Sequence, residues 1–178
     1  MPRKLKNIEL NRLSVDEFKN AQKLPICVVL DNVRSMLNVG SVFRTSDAFR
    51  IDQLFLCGIT ATPPHRDITK SAIGAEQSVN WKHYSTTVDA LKYLKSSGYC
   101  ILAVEQADTA IQLNAYNFES DKPVALVFGN EVDGVSDEVI AMCDTVIEIP
   151  QLGTKHSLNI SVCAGVVIWE AAKPHMHD

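Results

Sequence analysis

Short, β-branched apolar runs alternate along this chain with longer segments of mixed polarity, and that alternation sets the elements. Residues 26–30 (ICVVL) and 124–128 (VALVF) are continuous apolar runs, the pattern of strands covered on both faces. Residues 53–57, 79–84, 99–104 and 146–149 read as further strands, the first stopped by Gly58. Ser14 with Glu17 three residues on is a capping-box signature for a short helix over 14–22. Asn38 is a candidate N-cap for a helix ending near Arg50, 87–97 an amphipathic helix ended by Gly98, and 137–143 a brief helix. Residues 61–77 hold Pro63 and Pro64 and read as loop with one helical turn. In the last segment Ser157 is the expected N-cap of a helix running to about Lys173, with Pro174 just past its end. Leu158, Ile160, Val162, Cys163, Val166, Val167, Ile168 and Trp169 leave that helix almost no polar stripe, so it belongs in a core or a subunit interface.

Strand and helix alternate throughout, which predicts an α/β domain with a mostly parallel sheet and helices on both faces. Ligands of such sheets bind beyond the carboxyl ends of the strands. Three loops take that position: the one after ICVVL, the one after VALVF, and residues 149–159 (IPQLGTKHSLN).

Composition narrows the class. The chain has 178 residues, 46% hydrophobic and 21% charged, an ordinary globular balance for a single domain. No apolar run reaches the length of a membrane span, and the first residues lack the apolar core of a signal peptide. Five cysteines without a CxxC spacing read as small buried hydrophobes in a reducing cytoplasm. A net charge of −4 argues against gripping nucleic acid by bulk charge, but the charge is uneven: residues 1–25 carry +3 and the remainder −7. Residues 1–24 are therefore expected to form a basic arm with a short helix, loosely attached through residue 13, ahead of a domain over 25–178. His65, His83 and His156 are far apart and lack metal spacing, and His175 and His177 sit in what reads as a loose tail. No metal is expected.

Each strand-end loop carries candidate chemistry. In NVGSVFR, Gly40 permits close approach of a backbone or ligand, and Arg44, on a helix, offers a fixed fork of donors to phosphate or carboxylate. In FGNEVDG, Gly129 and Gly134 bracket Asn130, Glu131 and Asp133 without forming a phosphate loop or a dinucleotide fingerprint. In the third, Ser157, Asn159 and Ser161 put polar groups at the mouth of a dry helix.

These three segments, in this order, resemble the three motifs of the SpoU (TrmH-like) family of SPOUT RNA 2′-O-ribose methyltransferases. Asn38, Gly40 and Arg44 match the first motif; Gly129, Asn130, Glu131 and Gly134 the second; Ile149, Pro150, Gly153, Ser157, Leu158 and Asn159 the third. AIGAEQ (72–77), GYCILAVEQ (98–106) and SVCAGVVIWE (161–170) are similar especially to catalytic domains acting on guanosine 18 of tRNA, and the likeness covers about residues 25–172. The resemblance implies a C-terminal deep trefoil knot, S-adenosylmethionine as cofactor, a homodimer, and RNA as substrate, tRNA first and ribosomal RNA second. It implies cofactor contacts at Gly129, Ile149 and Leu158, in a loop setting shared by Phe128, Pro150 and Gly153. Arg44 would be catalytic, with Asn38, Glu131, Ser157 and Asn159 shaping the site. Two roles for Arg44 stay open: a base whose proton is drawn toward an RNA phosphate, or a cation that orients hydroxyl and phosphate. Arg3, Lys4, Lys6, Arg12, Arg34, Arg66 and Lys155 are candidate phosphate contacts. A non-catalytic RNA-binding homologue and a base methyltransferase are the rival readings.

Overall fold

Alternate residues of the central strands feed two separate cores, and this sorting builds the sheet. In a computed structural model describing residues 1–176, β1 (Leu24–Asp31) sends Ile26, Val28 and Leu30 to one face and Cys27 and Val29 to the other. Likewise β6 (Val124–Phe128) splits Val124, Leu126 and Phe128 from Ala125 and Val127. Each large side chain so buried contributes about 1.5–3 kcal/mol relative to exposure. With β2 (Ile51–Cys57), β3 (Trp81–Tyr84), β4 (Cys100–Val104), β5 (Ile111–Gln112) and β7 (Thr145–Glu148) they form a seven-stranded sheet in the order β3-β2-β1-β6-β4-β7-β5. Every pairing is parallel, going beyond the mostly parallel sheet expected. β5, two exposed residues on an edge, has no sequence pattern that predicts it.

On one face lie α2 (Met36–Ala48), α3 (Arg66–Ala72), α4 (Ala75–Ser78) and α7 (Ile160–Ala172), together with Phe18 of α1 (Val15–Asn20). The other face is covered by α5 (Thr87–Ser96) and α6 (Asp137–Ile140). No helix of the described residues is long and apolar enough to cross a membrane. All five cysteines are free, Cys27 and Cys57 buried. α1 has its capping box, with the Ser14 hydroxyl accepting from Glu17 N–H and the Glu17 carboxylate accepting from Ser14 N–H at 2.7 Å.

Several expectations at helix ends and turns need correction. The N-cap of α2 is Ser35, whose hydroxyl accepts from the Asn38 N–H, because the Asn38 side chain is committed to partners outside the helix. Helix α7 starts at Ile160 with Asn159 as cap, so Ser157 remains in the loop before it. Residues 61–77 are not mostly loop: the His65 ring caps α3, and Ile68 and Ala72 bury themselves against α2. Gly40 is what lets α3 so close, since a Cβ there would lie 2.3 Å from the Ile68 carbonyl oxygen and 2.1 Å from Ser71 Oγ. His175 ends a 3-10 turn, Lys173–His175, rather than a loose tail; His177 lies outside the described residues. Within the arm, residues 7–10 form a 3-10 turn held by Glu9, which accepts from Arg3 at 2.6 and 3.0 Å and from the Lys6 N–H at 2.7 Å.

Candidate active site

The carboxyl ends of β4, β6 and β7, adjacent in the sheet, open onto a cleft of about 480 Å³. Val104, Phe128, Ile149, Leu158, Ile160 and Cys163 form its apolar walls. Burial pushes the Cys163 thiol up to about 12, so at neutral pH it is an uncharged wall residue and no nucleophile. Four carboxylates, Glu105, Glu131, Asp133 and Glu148, also line the cleft, a setting that favours a cation over a phosphate.

The loop after β6 is tied into a tight turn. Asn130 and Gly134 exchange backbone hydrogen bonds at 3.1 Å, and Asn130 Oδ1 accepts from the N–H groups of Val132 and Asp133, both at 2.9 Å. Gly134 takes a positive φ of 68°, and a Cβ on Gly129 would lie 1.9 Å from the Gly134 backbone. The turn therefore tolerates no side chain at Gly129 and projects Glu131 toward the start of α2.

There Glu131 joins the other two loops. Its oxygens accept from the backbone N–H groups of Arg34 and Ser35, both at 3.1 Å, and from Asn38 Nδ2 at 3.0 Å. Asn38 Oδ1 in turn accepts from Asn159 Nδ2 at 3.2 Å, while Asn159 Oδ1 caps α7 by accepting from the Ser161 N–H at 2.9 Å. One chain of hydrogen bonds, Glu131 to Asn38 to Asn159, thus connects the turn after β6, the first turn of α2 and the cap of α7, across sequence separations of 93 and 121 residues. Partial burial pushes the Glu131 carboxyl up, but the bonds from Arg34, Ser35 and Asn38 outweigh it and hold the group below the usual carboxylate range. It is charged at neutral pH and a weaker base than an ordinary glutamate.

Of the residues singled out from sequence, Phe128, Gly129, Glu131, Ile149, Ser157, Leu158 and Asn159 line the cleft. Asn38 stands behind its wall, bonded to Glu131 and Asn159. Pro150 lines a second, adjoining cavity with Lys155, and Gly153 sits on the exposed outer part of the loop with nothing within 4 Å of its Cβ position. Arg44 is elsewhere: it lies on the exposed face of α2, outside the cleft lining, and makes no ion pair among the described residues. Arg34 flanks the cleft loop through a 3.6 Å pair with Asp133. Glu105 and Gln106, at the end of β4, are site residues that sequence reasoning missed. The signal was available, because they directly follow a strand in the GYCILAVEQ segment.

A ligand-sized cleft at the strand ends of a parallel sheet, with its rim segments bonded to one another, defines an α/β domain with a small-molecule site. The chain belongs to the SpoU rRNA methylase family, whose profile matches residues 25–169. It is 30% identical to the tRNA (guanosine(18)-2′-O)-methyltransferase of Thermus thermophilus over 171 residues, 94% of this chain and 84% of that protein. It is 28% identical to a 23S rRNA (guanosine-2′-O-)-methyltransferase of Vibrio parahaemolyticus, over 94% of this chain and 67% of that one. Among solved structures, the AdoMet-bound rRNA methyltransferase of Sinorhizobium meliloti superposes with a TM-score of 0.80 at 26% identity. That match covers 90% of this chain and 61% of the other, so this chain spans about three fifths of that structure.

Proposed function

We propose that this protein transfers the methyl group of S-adenosylmethionine to a ribose 2′-hydroxyl of RNA, with tRNA the substrate. The observation that carries the reading is the Glu131–Asn38–Asn159 chain, which binds the three motif segments together beside one cleft. The cleft suits the cofactor. Its apolar walls fit an adenosyl group, and its carboxylates a sulfonium and an ammonium. When bound, the cofactor supplies an electrophilic methyl on an already positive sulfur, so the leaving group needs no metal.

This chain's residues then have to place and activate the sugar hydroxyl. Glu131 is spent on orienting α2 and Asn38, and its lowered carboxyl is a poor proton acceptor. Arg44 supplies a cation on a rigid helix, about one and two-thirds turns beyond Asn38, with Arg34 at the cleft rim as a second phosphate contact. Both are exposed and lie outside the acidic lining of the cleft, which separates the anionic RNA from the cationic cofactor.

Because Arg44 lies outside the cleft lining, a second copy of the chain is part of the reading. Val162, Val166 and Trp169 of α7 are 53%, 38% and 48% exposed at helical spacing, an apolar stripe that a homodimer would cover. A trefoil knot is part of the reading too. β7 lies two strands out from β6, yet α7, next in the chain, returns across the sheet to pack on β1, β6 and α2. Five unpaired cysteines suit the reducing cytoplasm, where tRNA is found.

The test is incubation of the purified protein with S-adenosylmethionine and unmodified tRNA or ribosomal RNA, followed by nucleoside mass spectrometry. A cofactor-dependent 2′-O-methylnucleoside from tRNA is the expected product. Methylation confined to ribosomal RNA would move the substrate. A methylated base, or S-adenosylmethionine binding without turnover on either RNA, would overturn the activity.

A further inference from the structure

Most of the cleft is held firmly; one wall is not. Helix α2, the turn after β6 and the cap of α7 are each tied by several hydrogen bonds. By contrast residues 151–159 are exposed throughout, although Gln151, His156, Ser157 and Leu158 line the cleft. Between residues 150 and 158 the described residues make one hydrogen bond: Gln106 Nε2 donates to the His156 carbonyl at 2.6 Å.

The topology explains why Gln106 is placed to do this. β4 lies between β6 and β7, so the residues that follow it emerge between the loops that follow its two neighbours. Glu105 extends the β4–β7 ladder, its N–H donating to the Ile147 carbonyl at 3.0 Å. The Glu105 carboxylate accepts from the Val135 N–H at 2.9 Å, at the end of the turn after β6, and from the Gln106 N–H at 2.8 Å. Gln106 then reaches the loop after β7. Two consecutive residues therefore span both cofactor-facing loops, and the Gln106 side chain fastens the exposed wall at its single hydrogen bond among the described residues.

We infer that Gln106 is a latch, a positioning residue that holds the loop over 151–158 against the cleft and so sets how tightly S-adenosylmethionine is retained. This rests on the proposed use of the cleft. Gln106 touches neither reacting atom, so its loss weakens cofactor binding and leaves the transfer step alone at saturating cofactor. A latch made by one bond also opens readily, which gives the cofactor a way in and S-adenosylhomocysteine a way out.

The experiment uses the full chain and four variants: Gln106→Ala, the isosteric Gln106→Glu, which cannot donate, Gln106→Lys, which keeps a donor, and Gln112→Ala as a control on neighbouring β5. Without cofactor, backbone 15N order parameters over 151–158 are expected to fall in Ala and Glu and to stay near wild type in Lys and in Gln112→Ala. Calorimetry should show the S-adenosylmethionine Kd rising about three- to tenfold in Ala and Glu, the worth of one hydrogen bond. kcat at saturating cofactor should stay within about twofold, since only an interaction peculiar to the transition state would change it. Unchanged order parameters over 151–158 in Ala and Glu would overturn the latch, as would order lost equally across the sheet or a fall in kcat at constant KM. Should wild type take up no S-adenosylmethionine, the function proposed above fails, while the order of the loop still decides the latch.

Discussion

Asn38 works at the residue scale through both ends of one amide. Its Nδ2 donates to Glu131 and its Oδ1 accepts from Asn159, so the orientation of that amide matters as much as its presence. Asn38→Asp keeps the size but sets a carboxylate against Glu131. It should lower turnover more than Asn38→Ala does, measured as single-turnover methylation at saturating cofactor. Glu131 makes a pH prediction. Its folded carboxyl sits below the ordinary value near 4.3, so its contribution is complete above that value and lost as the pH falls through the lower folded one. Melting temperature against pH should therefore fall less steeply at the acid end in Glu131→Gln than in wild type. The effect will be small, because the side chain is only partly shielded from solvent. For Arg44, Ala should reduce kcat by about 100-fold or more if the group positions or deprotonates the hydroxyl. A pH–rate profile of Arg44→Lys separates the two roles. An orienting cation leaves the shape unchanged, a base moves the limb, and near-normal turnover in Arg44→Ala rules out both.

At the scale of an element, α7 shows how a cap and a loop divide the work of one sequence motif. Ser157 and Asn159 are both good cap residues, and a propensity argument alone selects the first. The fold selects Asn159, because the other end of its amide has a partner in Asn38, 121 residues away along the chain. Ser157 is then left facing the cleft. Asn159→Ala should cost about 0.5–2 kcal/mol of stability by denaturant titration, and Ser157→Ala close to nothing. Equal costs would restore Ser157 as the cap. The same reasoning applies to α2 and α3. Gly40 reads in sequence as room for a ligand, but α3 occupies that room, so Gly40→Ala should destabilise the domain by about 1–3 kcal/mol through overpacking.

For the whole molecule, α2 and α7 lie side by side, their starts joined by Asn38 and Asn159 and their ends by the edge-to-face pair of Phe49 and Trp169, 5.8 Å between ring centroids. The outward stripes of both helices, Leu37 and Arg44 on one and Val162, Val166 and Trp169 on the other, are left exposed. If a second copy covers them, Val166→Arg should turn a dimer into a monomer by light scattering and abolish turnover while cofactor binding persists. The charge distribution belongs to this scale as well. Removing one phosphate-binding cation from the arm or the cleft rim should reduce the salt slope of RNA binding by about 0.7–0.9. Arg34→Ala is the direct test at the rim; a slope that does not change removes Arg34 from the RNA path.

The order of apolar runs and turn residues determined the longer strands, the parallel α/β class and the placing of the motif segments beyond the carboxyl ends of strands, because these depend on local period and on chain connectivity. Periodicity has nothing to say about a two-residue edge strand such as β5, or about α3, whose apolar face is short and needs Gly40 opposite it. Nor can it decide which of two polar side chains caps a helix and which looks into a cleft, since both fit the local rule equally. Those choices, like the pairing of Gln106 with His156 and of Asn38 with Glu131, are settled by groups distant in sequence competing for the same partner. Only the folded sheet, which lays β4 between β6 and β7, brings them within hydrogen-bond reach.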